Sequence, residues 1–391
     1  MSSHYNGRRT GGGRRRGVSP MVVLMLLAIV VAAAILVVVN LRQDKLPAPE
    51  QDTPPTAENL PDDTTGEQGQ DQEPPVEPLA RIEVKGQVKA YDGVYCVGDT
   101  GYEYYTYIDS TAKKYATCVN QVADSLAGTA TVYDIIIPLS SGITLPDDLY
   151  GTTGLDDQQA AEKNAYDYMG DNVVTVPLYD AMMAHRTEYI YFRTDHHWTG
   201  TGAYYAYRQF CQAKGLTPHE LSEYETAEFP GFLGTFYNDS GKDADLGNNP
   251  DTVVAYYPVS DGVTMTWVTK ESGAVKTYDG MSIIFDESSN SAGLKYGAFL
   301  WGDNEINGIN TITNPTVTDG NSCVVVKESF GNAFVPFLPD HYSTVYVIDY
   351  RYWNGSLTQF VKDNGVQDVI FCNNLSAIRD GSKIGALHSI L

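Results

Sequence analysis

Hydrophobic positions fall into three patterns along the chain. Residues 21–39 are an unbroken run of Met, Val, Leu, Ala and Ile. A helix of that length, at about 1.5 Å per residue, reaches across the hydrocarbon core of a bilayer. Residues 46–80 have no apolar period and are built of proline and carboxylate. Beyond them, short β-rich runs alternate with stretches of helical period. Residues 91–97 and 131–139 read as strands, the second of the buried type (Val132-Tyr-Asp-Ile-Ile-Ile137). Residues 111–126 place Tyr115, Cys118, Val119, Val122 and Leu126 at three- and four-residue steps, which predicts a helix. The same reading gives helices over 157–169, 178–185 and 202–214, the last stopped by Gly215. It gives strands over 173–176, 189–193, 323–327, 344–348 and 366–372. Alternation of this kind predicts an α/β domain, a doubly wound parallel sheet with helices on both faces. The stretch 222–311, rich in Gly, Asn, Asp and Thr, breaks the rhythm and reads as an irregular, β-rich insertion. No internal repeat is present.

Charge sharpens the N-terminal picture. Residues 1–45 carry seven basic residues against Asp44 alone, and Arg8, Arg9, Arg14, Arg15 and Arg16 directly precede the apolar run. The positive-inside tendency keeps that end in the cytoplasm and sends the remainder outside. A cleaved signal peptide is the rival, but the run is long and leaves through Val38-Val-Asn-Leu-Arg42 with no small-x-small site. The expected layout is a basic cytoplasmic tail (1–20), one transmembrane helix (21–39), an extended acidic stalk (40–80) and an extracytoplasmic domain (81–391). Eight prolines and nine carboxylates in 46–80 deny that stalk a core. The chain's net charge of −23 argues against a nucleic-acid partner. It also turns the acceptor expectation toward a neutral glycan. Five cysteines without a Cys-x-x-Cys read as buried thiols rather than a framework, with Cys96–Cys118 as the one pair left open.

Two segments carry candidate chemistry. In Tyr189-Ile-Tyr-Phe-Arg-Thr-Asp-His-His-Trp198 a predicted strand runs out into Asp195, His196, His197 and Trp198. An aspartate two residues before a histidine can hold the imidazole Nδ1–H and leave Nε2 free as a base. Thr199 or Thr201 then caps the next helix. In Asn321-Ser-Cys-Val-Val-Val-Lys-Glu-Ser-Phe-Gly-Asn-Ala-Phe334 a buried strand ends just before Ser329. A serine at a strand-to-helix turn exposes its hydroxyl beside backbone N–H groups. Parallel topology is expected to bring both strand ends to one sheet edge. A metal at Asp195, His196 and His197 is not expected: no His-Glu-x-x-His occurs and adjacent histidines diverge. No cofactor is expected. The tyrosine clusters at 102–107 and 204–205 divide between core and surfaces for sugar stacking.

Asp195-His-His-Trp198, Tyr296-Gly-Ala-Phe-Leu-Trp-Gly-Asp303, Lys327-Glu-Ser-Phe-Gly-Asn-Ala-Phe334 and Ile348-Asp-Tyr-Arg-Tyr352 together resemble the DHHW family over 81–391. These bacterial envelope proteins are similar to the SGNH-hydrolase-like domains of alginate O-acetyltransferases. The resemblance implies a Ser329 nucleophile, a His197 base and Asp195 as its partner. Asn332 and Arg351, with His196 and Trp198, are implied around the oxyanion and substrate. It implies acetyl transfer to a polysaccharide, with a multi-span membrane acyltransferase as acetyl source. A deacetylating esterase is the alternative. Glu328 and Phe330 flank the serine where Gly-Asp-Ser or Gly-Thr-Ser is usual, which motivates a non-catalytic glycan-binding or assembly module as a further alternative.

Overall fold

The computed structural model describes residues 79–285 and 295–391. The expected cytoplasmic tail, transmembrane helix and nearly all of the stalk lie outside the described residues. Among the described residues no helix is long and apolar enough to cross a membrane.

The chain enters through a small antiparallel sheet, β1 (Val88–Ala90), β2 (Val94–Val97) and β3 (Thr100–Glu103). Helix α1 (Asp109–Ser125) leads to β4 (Thr131–Ile137), and α2 (Gln158–Tyr166) to β5 (Val173–Thr175). After α3 (Tyr179–Ala184) and α4 (Gly200–Lys214) come the hairpins β6 (Thr226–Phe232) with β7 (Asp251–Tyr256), and β8 (Thr264–Glu271) with β9 (Ala274–Met281). Then follow β10 (Ile309–Thr313), β11 (Ser322–Lys327), the one-turn α5 (Gly331–Phe334) and β12 (Thr344–Asp349). Helix α6 (Leu357–Asn364), β13 (Asp368–Asn374), α7 (Leu375–Arg379) and α8 (Gly381–His388) complete the chain.

The central sheet has eight strands in the order β5-β4-β13-β11-β12-β10-β8-β9. Strands β5, β4, β13, β11 and β12 are parallel to one another, whereas β10, β8 and β9 continue the sheet antiparallel. This corrects the expectation of a doubly wound parallel sheet: the sheet is mixed. The stretch 222–311 contributes three of its strands, wholly or in part, rather than standing apart from it. Strand 91–97 also belongs to the small sheet, not the central one. The parallel strands were recognisable because both their faces are covered and they read as continuous apolar runs. Tyr133, Ile135, Val325, Ile370 and Cys372 pack under α4, while Val132, Ile136, Val324, Val369 and Phe371 pack under α1 and α6. Each fully buried aliphatic side chain of this kind contributes roughly 1.5–3 kcal/mol.

Helix ends follow local chemistry. The Asp157 carboxylate accepts from Gln159 N–H and Ala160 N–H at the start of α2. Thr199, not Thr201, caps α4, and Gly215 ends it with φ +76°. All five cysteines are free and buried, Cys96 and Cys118 included.

Segment 189–193 is not a strand of any of the three sheets. Its one ladder contact is the bridge between Tyr191 and Trp198. The chain turns back on itself: Phe192 N–H donates to His197 O (3.2 Å) and Thr199 N–H to Ile190 O (3.0 Å). Buried Asp251 accepts from the N–H groups of Arg193 (3.2 Å) and Thr194 (2.7 Å), and Gly101 N–H donates to Arg193 O. The backbone groups a sheet would have satisfied are thereby paired within a loop.

Candidate active site

Ser329 follows the C-terminal end of β11 and precedes α5, and the 189–199 loop hangs Asp195 and His197 over the same edge. His197 Nε2 lies 2.8 Å from Ser329 Oγ, and His197 Nδ1 lies 2.6 Å from Asp195 Oδ1. The hydroxyl, imidazole and carboxylate are thus in line, although the histidine comes from a self-paired loop and not from a strand end. Asp195 Oδ1 also accepts the His197 backbone N–H (3.0 Å), which closes the short Asp-x-His ring. Asp195 Oδ2 accepts from Thr235 N–H (2.9 Å) and Thr235 Oγ1 (3.3 Å). Burial alone would raise the Asp195 carboxyl. The facing imidazoles of His197 and His196 and these hydrogen bonds outweigh it and hold the group well below the usual carboxylate range.

The imidazole of His197 is clamped between rings. Tyr296 stacks on it at 3.9 Å between centroids, tilted by 15°, and Phe330 lies at 4.8 Å. Tyr296 Oη donates toward Ser329 O (3.2 Å), and Trp198 Nε1 donates to Phe330 O (2.9 Å). The imidazole and the serine turn therefore share their supports.

The remaining expected residues separate. His196 Nδ1 is 2.7 Å from Thr235 Oγ1, and burial with the adjacent His197 lowers its pKa. It lines the cleft above Ser329. Trp198 does not: it is wholly buried, a wedge beneath the loop. Asn332 Nδ2 donates to Asp303 Oδ1 (2.9 Å), and its Oδ1 has no partner. Arg351 binds Asp349 through Nε (2.8 Å) and Nη2 (2.6 Å), and Asp303 through Nη2 (2.7 Å). Buried Lys327 joins Asp349 (2.9 Å) and Asp303 (3.2 Å). Asn332 and Arg351 thus line the cleft as members of an ion network that ties the ends of β11 and β12 to Asp303.

Asp195, His196 and His197 are brought close enough to offer three ligand atoms to a cation. Both ring nitrogens of His197 are already engaged, by Asp195 and by Ser329. The arrangement matches a proton relay better than an open coordination sphere.

Several site residues escaped sequence reading. Thr235 backs Asp195, and Gly234 passes so close that a Cβ there would sit 2.2 Å from Asp195 Cβ. Gly234-Thr235 carries no sequence signal of this role. Glu328, whose place beside the serine the sequence marked, proves to be tied into the turn. Its carboxylate lies 3.2 Å from Ser329 Oγ, accepts Phe330 N–H (3.3 Å) and accepts both Asn374 N–H and Asn374 Nδ2 (3.2 Å each). A cleft of about 740 Å³ opens over Ser329, walled by Glu103, Thr235, Trp301, Asp303 and Lys383 among others.

Fold and site define an α/β protein of mixed sheet, with a carboxylate, an imidazole and a hydroxyl hydrogen-bonded in line over the ends of its parallel strands. A family model described as DHHW protein matches residues 64–348. The chain belongs to the DHHW family. A crystal structure of a DHHW family protein from Eubacterium siraeum is 29% identical, with a TM-score of 0.69, covering 78% of this chain and 98% of that one. Bacillus cereus PatB1 is similar in fold at 17% identity and a TM-score of 0.60, covering 76% of this chain and 98% of that one. A second PatB1 structure, bearing a sulfonyl adduct, gives 16% and 0.60, with 74% and 97% covered. A search of curated proteins found no match.

Proposed function

We propose that this chain is a serine O-acetyltransferase that acylates Ser329 and passes the acetyl group to a hydroxyl of an envelope or secreted polysaccharide. The observation that carries the reading is the hydrogen-bonded line Asp195–His197–Ser329 opening on a cleft. His197 Nε2 takes the Ser329 proton as Oγ attacks the acetyl carbonyl. The tetrahedral adduct collapses, and the donor's leaving oxygen departs with that proton. In the second half an acceptor hydroxyl gives its proton to His197 and attacks the acyl-serine. Ser329 Oγ leaves and is reprotonated by His197. Asp195 keeps the imidazole in the Nδ1–H tautomer and offsets the positive charge it acquires. Anchored by residues 21–39 and held off the membrane by its stalk, the domain would receive acetyl groups from a multi-span acyltransferase.

Glu328 favours a second reading, a glycan-binding module that has kept the fold. A carboxylate beside the nucleophile opposes the negative charge that acylation develops there. One experiment sorts the two. The purified chain is treated with phenylmethanesulfonyl fluoride and, separately, with p-nitrophenyl acetate, beside Ser329→Ala, His197→Ala and Asp195→Asn. A Ser329 adduct and a nitrophenol burst, lost in the first two and reduced about 10³–10⁴-fold in Asp195→Asn, support acyl transfer. A folded wild-type chain with neither adduct nor burst moves the assignment to the binding module.

A further inference from the structure

The cleft wall contains a strained turn. Leu300 and Trp301 both have positive φ (54° and 63°), and Gly302 follows at 81°. Two consecutive non-glycine residues in the left-handed region are strained, and such conformations persist only where the surroundings dictate them. Here the surroundings do. Leu300 is wholly buried and its N–H donates to Ile283 O (2.9 Å), while Gly302 N–H donates to Phe299 O (3.0 Å). The turn fixes one side chain, Trp301. Its Nε1 donates to Ser282 O (2.9 Å), Phe285 meets it edge-on at 4.2 Å, and Trp267 packs at 5.5 Å. The indole is only partly buried and lines the cleft that holds Ser329.

Of the tyrosine clusters at 102–107 and 204–205, Tyr102, Tyr105 and Tyr204 are buried, and the partly exposed Tyr104, Tyr107 and Tyr205 do not line this cleft, whereas Trp301 packs on the core and lines it. The charges of the cleft narrow the choice of ligand. Glu103, Asp303, Glu305 and Glu328 line it against Arg351 and Lys383, and Arg351 is already matched to Asp303 and Asp349. An anionic acceptor would meet an acidic wall. A pyranose presents polarised C–H groups on one face, complementary to the negative face of an aromatic ring.

We propose that Trp301 is a stacking platform for an uncharged pyranose unit of the acceptor, so that this cleft accepts a neutral glycan. The proposal rests on the acyl-transfer reading for what happens to that sugar, and on the cleft wall alone for its binding. The test therefore measures the two separately. The full chain, solubilised in detergent and carrying Ser329→Ala, is titrated with cellopentaose, xylopentaose, chitopentaose and polygalacturonate, alone and with Trp301→Ala or Trp301→Phe added. The expected result is binding of at least one neutral oligosaccharide. Trp301→Ala weakens that binding about ten-fold, and Trp301→Phe stays within about three-fold of the parent. No binding by any neutral oligomer, equal binding by Trp301→Ala, or tightest binding by polygalacturonate overturns the platform. Sulfonyl labelling of Ser329 in the chain with native Ser329 is read beside it. Binding without labelling keeps the platform and removes the acyl transfer. Labelling without binding does the reverse.

Discussion

The carboxylate of Glu328 and the hydroxyl of Ser329 are 3.2 Å apart, the same hydroxyl that sits 2.8 Å from His197 Nε2. One proton on Oγ cannot serve both acceptors. In the proposed reaction, a proton pointed at Glu328 is not available to His197, and one taken by His197 would leave negative charge on Oγ facing the carboxylate. Glu328→Gln removes that repulsion while keeping an amide oxygen for Asn374. The acylation burst with p-nitrophenyl acetate is expected to quicken about ten-fold, a gain of roughly 1.4 kcal/mol. An equal or slower burst would mean that the carboxylate assists the serine.

Gly234 makes room for Asp195. A methyl at that position would meet both Asp195 Cβ and Oδ2 at 2.2 Å, with no flexible chain end to yield. Gly234→Ala should displace the aspartate and tilt His197 away from Ser329. Misplacement of this size costs on the order of 10²-fold in rate. The acylation rate of a variant that keeps wild-type circular dichroism checks it, and a rate within two-fold of wild type would contradict the geometry.

Asp134 lies outside the cleft, on the α1 face of β4, with Tyr115 Oη donating to its Oδ1 (2.5 Å) and its Oδ2 unpartnered. Burial pushes its pKa up from 3.8 to about 7, against the opposing hydrogen bond from Tyr115. Between those values the folded chain holds a proton that the unfolded chain has released. Its contribution is therefore intact below the unfolded pKa, declines as pH rises from about 4 to 7, and is level above. The full effect is of order 4 kcal/mol. Asp134→Asn should flatten this part of the pH–Tm curve, so that the variant gains on wild type between pH 5 and 7.5. Parallel curves for the two proteins would refute the buried protonation.

Lys327 is the buried centre of the ion network, between Asp349 and Asp303. Lys327→Met fills the space but removes one of the two cations that balance Asp303 and Asp349. Breaking a buried pair from one side costs about 3–5 kcal/mol. Urea unfolding should read that loss, and a midpoint unchanged from wild type would show the network to be dispensable.

Where the sequence was informative, the physics was local. β4, β11, β12 and β13 announce themselves because strands covered on both faces must be apolar throughout. Asp195, His197 and Ser329 were legible because their residue types are uncommon together at the ends of such runs. The strand expected at 189–193 has the right composition, yet its partner is its own return through His197 and Thr199, which no composition reveals. β8, β9 and β10 mix Thr, Lys and Trp on half-exposed faces and carry no clear period, so the antiparallel half of the sheet stayed hidden. Gly234 and Thr235 matter only through their position beside a residue far away in the chain, and a single sequence holds no trace of that.

The strand order has a consequence for how the chain comes together. β4 is made early, but the neighbour that flanks it in the sheet's interior is β13, so Thr131 must wait for Asp368. β11, which delivers the serine, likewise lies between two strands that follow it. A ribosome emitting this protein releases β4 and β11 with one edge of each unpaired until β13 has appeared. Such topologies collapse slowly and expose sticky edges meanwhile. Truncation near the C-terminus should therefore remove the middle of the sheet, not its rim, and leave an aggregate rather than a shortened domain.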